Sequence, residues 1–120
     1  MRDCHPLGVV VAAAALAFAA CPAMAHARLV GATPAPDSTV AAPRSVSLTF
    51  SERMVPAFSA FDLVNAAGEP VAVQISVAGD GKTITGLLSR PLTSGPYRVN
   101  WRIASTDGHR MTGTYSFSVQ

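Results

Sequence analysis

The stretch Gly95-Pro96-Tyr97-Arg98-Val99-Asn100-Trp101-Arg102-Ile103 decides the fold class of this chain. Its apolar residues, Tyr97, Val99, Trp101 and Ile103, alternate with Arg98, Asn100 and Arg102. Side chains two apart share one face of a strand, so this period marks a strand buried on one side and wet on the other. Gly95-Pro96 supplies the turn before it. Trp101, in mid-strand among apolar neighbours, is expected as a core anchor, because an inward-facing indole buries a large area.

The same period recurs on both sides of this strand. Tyr115, Phe117 and Val119 alternate after it. Before it, Thr83 to Leu87 follows the turn Gly79-Asp80-Gly81, and Val71, Val73, Ile75 and Val77 alternate in what reads as a single strand. Phe61 and Leu63 mark another, closed by Asn65-Ala66-Ala67-Gly68, and Val46, Leu48 and Phe50 alternate with Ser47 and Thr49. Ala27 to Ala32 reads as the first strand. Pro34-Ala35-Pro36-Asp37-Ser38 ends it, since proline removes a ladder donor and fixes the turn. About seven short strands with turn signals between them, and no convincing helical period, predict an all-β, immunoglobulin-like sandwich. Val46, Leu48, Phe50, Trp101, Ile103 and Phe117 are the expected core.

The first 25 residues read differently. Arg2 and the free amine give a charged start, Leu7 to Ala20 runs without a charge, and Ala23-Met24-Ala25 is a small-residue site. That order is the pattern of a cleaved secretory signal, and the apolar run is shorter than the ~20 residues a spanning helix needs. The expected division is a leader over 1–25, removed between Ala25 and His26, and one β-sandwich domain over 26–120, with no membrane insertion of the mature chain. Both cysteines, Cys4 and Cys21, fall in the leader, so the mature chain offers neither a disulfide nor a thiolate ligand. Phe18-Ala19-Ala20-Cys21 loosely resembles a lipoprotein signal, a rival reading that leaves His26 inside the chain. Eight basic residues, Arg28, Arg44, Arg53, Lys82, Arg90, Arg98, Arg102 and Arg110, are spread along the mature chain without a run. This is unlike the clustered basic face of a nucleic-acid reader.

The chemistry lies in very few residues. His26 and His109 are the histidines of the mature chain. Once cleavage makes it the first residue, His26 offers one metal two nitrogens, its α-amine and its ring Nδ1, in a six-membered chelate. His109 adds a third. Asp107 lies two residues before it, so in extended backbone the two project to one side, across a Gly108 that admits close approach and unusual dihedrals. Three nitrogens and a carboxylate in a plane suit tetragonal Cu(II), and zinc, which prefers a tetrahedron, is the main competitor. Asp-Gly is also an ordinary turn signal between strands.

Several segments resemble the CopC family of periplasmic copper-resistance proteins. They are His26-Ala27-Arg28-Leu29-Val30, Thr33-Pro34-Ala35-Pro36-Asp37-Ser38, Leu48-Thr49-Phe50-Ser51-Glu52, the run from Tyr97 through Asp107-Gly108-His109, and Gly113-Thr114-Tyr115-Ser116-Phe117-Ser118-Val119. The resemblance covers essentially all of 26–120, and the tryptophan strand leading into Asp-Gly-His is its most specific part. It implies a Greek-key β-sandwich in the periplasm, a Cu(II) site at His26, Asp107 and His109, and Glu52 near the metal as an outer or weak axial group. It also implies traffic with an inner-membrane copper transporter of the CopD type. Some members carry a methionine-rich Cu(I) site. Here the mature chain has only Met54 and Met111, which read as gap-filling packing or surface residues, so a thioether cluster is not expected.

The resulting expectation is a monomeric copper-binding protein that is not an enzyme. Two alternatives stand beside it. One is a histidine-brace copper oxidase of the lytic polysaccharide monooxygenase type, against which Asp107 would occupy a position that oxygen chemistry needs open. The other is a metal-free lipoprotein sandwich module, which follows if Cys21 is lipidated.

Overall fold

A computed structural model describes residues 26–120. The leader, its cleavage site and both cysteines lie outside the described residues. The described chain is a two-layer β-sandwich of nine strands: β1 Leu29–Thr33, β2 Thr39–Val40, β3 Ser45–Phe50, β4 Ala60–Asn65, β5 Pro70–Val71, β6 Val73–Val77, β7 Thr83–Leu88, β8 Gly95–Ala104 and β9 Arg110–Val119. One sheet has the order β1-β3-β7-β6 and the other β2-β9-β8-β4-β5. A 3-10 turn, Pro56–Phe58, precedes β4. All pairings are antiparallel except β2 with β9.

The alternation that predicts the strands also builds the core. On β8, Tyr97, Val99 and Ile103 are buried while Arg98 and Arg102 are exposed. On β3, Val46, Leu48 and Phe50 are buried and alternate with half-buried Ser47 and Thr49. Phe50, Phe61 and Phe117 are fully buried with Leu48, Leu63, Ile84, Val46 and Val99 between the sheets. A fully buried apolar side chain of this kind contributes roughly 1.5–3 kcal/mol over its exposed state. Met54 belongs to this core and Met111 packs against it. Both are therefore packing residues, as the lack of a methionine run leads one to expect.

Two readings need correction. The alternation from Val71 to Val77 is not one strand: β5 pairs with β4 in one sheet, β6 pairs with β7 in the other, and the chain crosses between layers at Ala72. Both sheets bury their inner faces in the same core, so a period of two runs through the crossing unchanged. Trp101 is half-buried, not a fully enclosed anchor. Its ring meets Phe50 of the opposite sheet edge-to-face, with centroids 5.0 Å apart. It also lies over Gly113, its cross-strand partner on β9, where an added Cβ would collide with the indole.

Tyr115 on β9 brings an unmatched cost. Its hydroxyl is buried without a hydrogen-bond partner among the described residues, and burial pushes its pKa up to about 12. Because the folded-state value is raised, the associated stability is complete below the unfolded value of about 10. It is lost as pH rises toward 12, by up to about 2–3 kcal/mol. Tyr115→Phe removes both the orphaned hydroxyl and this titration. The variant is expected to match or exceed the parent by about 1 kcal/mol at neutral pH and to unfold less steeply between pH 10 and 12. Urea melts across that range check both effects.

Candidate metal centre

The candidate residues collect at one end of the sandwich, where β3 runs out, β8 hands over to β9 and β1 begins. The foot of the β8–β9 loop is pinned by the segment after β3. Val55 N–H donates to the Ala104 carbonyl at 2.8 Å and Thr106 N–H to the Arg53 carbonyl at 3.2 Å. Met54 and Ser105 form an isolated bridge. The buried Ser59 hydroxyl accepts from Ala104 N–H at 3.1 Å and donates to the Val55 carbonyl at 2.9 Å.

From this foot the loop closes on itself. Ser105 N–H donates to the His109 carbonyl at 2.9 Å and Gly108 N–H to the Ser105 carbonyl at 3.0 Å. Gly108 has φ +91° with nothing within 4 Å of where a Cβ would sit. Glycine is needed there for its backbone conformation, and close approach, the other expected reason, does not apply. Residues 105–109 therefore form a tight turn and not the extended segment that the spacing suggests. Asp107 and His109 still meet, through the turn: His109 Nδ1 lies 3.0 Å from Asp107 Oδ2, and His109 N–H donates to Asp107 Oδ1 at 3.1 Å. The Ser105 hydroxyl donates to the same Oδ1.

These contacts settle the electrostatics of the loop. The Ser105 hydroxyl first, then the His109 ring and the His109 backbone N–H, hold the Asp107 carboxyl well below the usual carboxylate range. Asp107 is thus held as an anion at neutral pH. An ionised carboxylate only accepts hydrogen bonds, so His109 Nδ1 carries the ring proton toward it. His109 Nε2 is left as the ring atom with a free lone pair.

His26 comes to the same place from the other layer. Its ring stands edge-to-face against His109 with centroids 4.8 Å apart, and its Nδ1 is buried without a hydrogen-bond partner among the described residues. Ala27, beside it, is fully buried. Ser51 fixes the next residue, since Arg28 N–H donates to Ser51 Oγ and Ser51 N–H to the Arg28 carbonyl, both at 2.9 Å. Glu52, the next residue after Ser51, is exposed and makes neither an ion pair nor a hydrogen bond among the described residues. Asp107 and His109 are thus joined, and His26 and His109 are joined. Among the described residues no three His, Asp or Glu side chains converge into a ready-made metal cluster.

The donor set nonetheless fits a metal. A buried imidazole nitrogen without a partner is a costly arrangement, and it lies beside a second imidazole whose tautomer a carboxylate has fixed. Carboxylate–histidine pairing of this kind is how metal-ligating histidines are held. Sequence reasoning missed Ser105 and Ser59. Only their burial sets them apart.

The family model described as the CopC domain matches residues 29–120. The chain belongs to the CopC family. Among its curated relatives, Copper resistance protein C of Pseudomonas syringae pv. tomato is 43% identical over 105 residues, covering 82% of this chain and 83% of the relative. Copper resistance protein C of Xanthomonas campestris pv. juglandis is 36% identical over 119 residues, covering 93% and 92%. The crystal structure of PcoC, a methionine-rich copper resistance protein from Escherichia coli, superimposes with a TM-score of 0.74 at 38% identity, covering 80% of this chain and 100% of that one. The β-sandwich expected from the strand pattern, and the CopC family that the motifs resemble, are those of this chain. With Met54 and Met111 as its only methionines in 26–120, it departs from that methionine-rich relative.

Proposed function

We propose that this CopC-family chain is an exported copper-binding protein, which holds Cu(II) at His26, Asp107 and His109 and serves copper resistance or homeostasis. The observation that carries this reading is the buried, unpartnered His26 Nδ1 set against the His109 ring at 4.8 Å. It stands in a chain whose relatives are named copper resistance proteins. Removal of residues 1–25 in the periplasm frees the His26 α-amine, so that His26 contributes two nitrogens and His109 Nε2 the third. Asp107 accepts from Ser105, the His109 ring and the His109 backbone. The two ring nitrogens of His109 point to opposite sides, so Asp107 joins a metal at Nε2 by giving up its contact with Nδ1, and copper loading exchanges that hydrogen bond for the ion. Glu52, exposed beside the Ser51–Arg28 contact, is the outer group that orients the amine or a bound water.

Copper is cargo in this reading, held or passed on, and the protein is not an enzyme. The partner is an inner-membrane copper transporter of the CopD type. No helix among the described residues is long and apolar enough to cross a membrane. The exposed large apolar residues, Val30, Phe58 and Leu87, lie on separate elements, in keeping with a monomer.

The expected result is one Cu(II) per mature chain with an axial electron paramagnetic resonance spectrum and nitrogen couplings, and weaker binding of zinc. An all-oxygen spectrum, or a stoichiometry well below one, overturns the assignment.

A further inference from the structure

We propose that the end of the sandwich opposite the metal centre carries a docking groove for an acidic peptide segment of a partner protein, with Leu87 as its apolar floor and Arg44 and Arg90 as its anion-binding walls. This groove does not depend on the copper reading.

It follows from how three chain segments meet. β3 begins at Ser45 and β7 ends at Leu88, and the two strands pair antiparallel with Ser45 opposite Leu87. Leu88 N–H donates to the Arg44 carbonyl at 3.0 Å, which ties the residue before β3 to the end of β7. Arg90 follows two residues later. Pro43 and Pro91 stand beside the two arginines, and neither can donate to a sheet ladder. Together with Leu87 and Leu88 these residues line a cleft of about 640 Å³. That volume lies in the range of roughly 300–1,000 Å³ that suits ligand sites. The cleft stands at the start of β3, and the metal centre stands where β3 runs out at Phe50. A partner seated in it leaves His26, Asp107 and His109 open.

Leu87 is the residue that the strand pattern does not explain. β7 buries Ile84 and Gly86 and turns Thr83, Thr85 and Leu87 to the other face. On that face Thr83 meets the Thr49 hydroxyl at 3.1 Å and Thr85 meets the Ser47 hydroxyl at 3.0 Å. A solvated sheet face continues with polar residues, yet the next position holds a leucine that is 53% exposed. Half-buried Leu88 carries this apolar surface into the cleft.

The charge around it has one sign. No acidic residue lines the cleft. Arg44 and Arg90 are exposed, and the ion pairs among the described residues are Arg102–Asp62 and His109–Asp107. Neither arginine therefore has an acidic partner. A guanidinium takes a carboxylate through two parallel N–H bonds. An exposed leucine between two such groups fits an apolar side chain between two carboxylates. A membrane surface fits less well. Attachment to anionic lipid takes clusters of about four to eight basic residues, against two here, and a flat surface leaves a cleft unfilled. An extended peptide satisfies both the arginines and the cleft.

The test is an amide chemical-shift titration of the mature chain with acetyl-Glu-Ala-Leu-Ala-Glu-amide at low salt. The shifts should be confined to residues 42–45 and 87–91, and added salt should weaken them. The same peptide with Gln in place of both Glu should bind about 10-fold more weakly, as expected for two exposed ion pairs. The acidic peptide should lose a similar factor on the double variant Arg44→Gln, Arg90→Gln, and again on Leu87→Ser. Both variants should keep the parent's Cu(II) affinity, and the double variant its melting temperature. Absence of shifts in this region overturns the proposal, as does equal binding of the Gln peptide. Inorganic phosphate that reproduces the shifts at the same affinity would reduce the groove to a plain anion site and overturn it too. So would binding to phosphatidylglycerol vesicles that the double variant abolishes while the peptide gives no shifts, because the groove would then face a membrane. Self-association of the parent that Leu87→Ser removes would likewise overturn it in favour of a second copy of this chain.

Discussion

His109→Ala should lower Cu(II) affinity by more than the roughly 10–100-fold that outer partners of a metal site are worth, and leave the metal-free melting temperature where it was. The reason for the first half is that His109 is the hub of the site. Its ring is the contact of both Asp107, at 3.0 Å, and His26, at 4.8 Å between centroids. Losing it removes a nitrogen ligand and releases the Asp107 carboxylate. The reason for the second half is that the ring is 54% exposed and stands outside the core. Its backbone N–H and carbonyl, which help close the loop, survive the substitution. Phe50→Ala should do the opposite. Phe50 is fully buried between the sheets, and its truncation should cost about 3–5 kcal/mol. Isothermal titration with copper and thermal melts of both metal-free variants separate the two effects. An apo protein that unfolds on His109→Ala would make His109 structural.

Most of the fold is legible because its strands are half-buried. Wherever one face meets the core and the other meets water, the residues alternate, as on β3, β8 and β9. The alternation is lost where that contrast vanishes. β2 and β5 have two residues each, too short to hold a period. β5 and β6 merge in the sequence because Val71 and Val73 face the same core from different sheets. Trp101 is misjudged for another reason: its indole lies over Gly113 of the neighbouring β9 and meets Phe50 edge-on, so it stays half-buried although Ile103 beyond it is enclosed.

The site is legible in its residue types more than in its geometry. His26, Asp107 and His109 stand out because histidine is scarce here and because the expected leader ends just before His26. Their arrangement follows from a turn with Gly108 at φ +91°, and the strand spacing that first pairs Asp107 with His109 is the wrong reason for a contact that does exist. Ser105 carries no signal at all, since hydroxyls that bind backbone, water or carboxylate look alike in sequence. Glu52 is exposed and uncommitted, and the proposal that it lies beside the metal rests on family likeness and on Ser51 holding Arg28.

The central claim is that the free α-amine of His26 is a ligand. An amine must lose its proton to bind metal, as must the imidazole beside it, so copper affinity should rise with pH and binding should release protons. One residue added before His26 turns the amine into an amide, which has no lone pair to give unless it is itself deprotonated. The amine–Nδ1 chelate is then lost and only the ring remains. The most direct measurement is a competition titration of the mature chain and a Gly-extended chain against the same copper chelator, with the metal-free melting temperature recorded for each. The extended chain is expected to bind Cu(II) more weakly by a factor on the order of 100 or more, beyond the loss of an outer partner, with the same melting temperature. Equal affinities would contradict it and remove the His26 amine from the site.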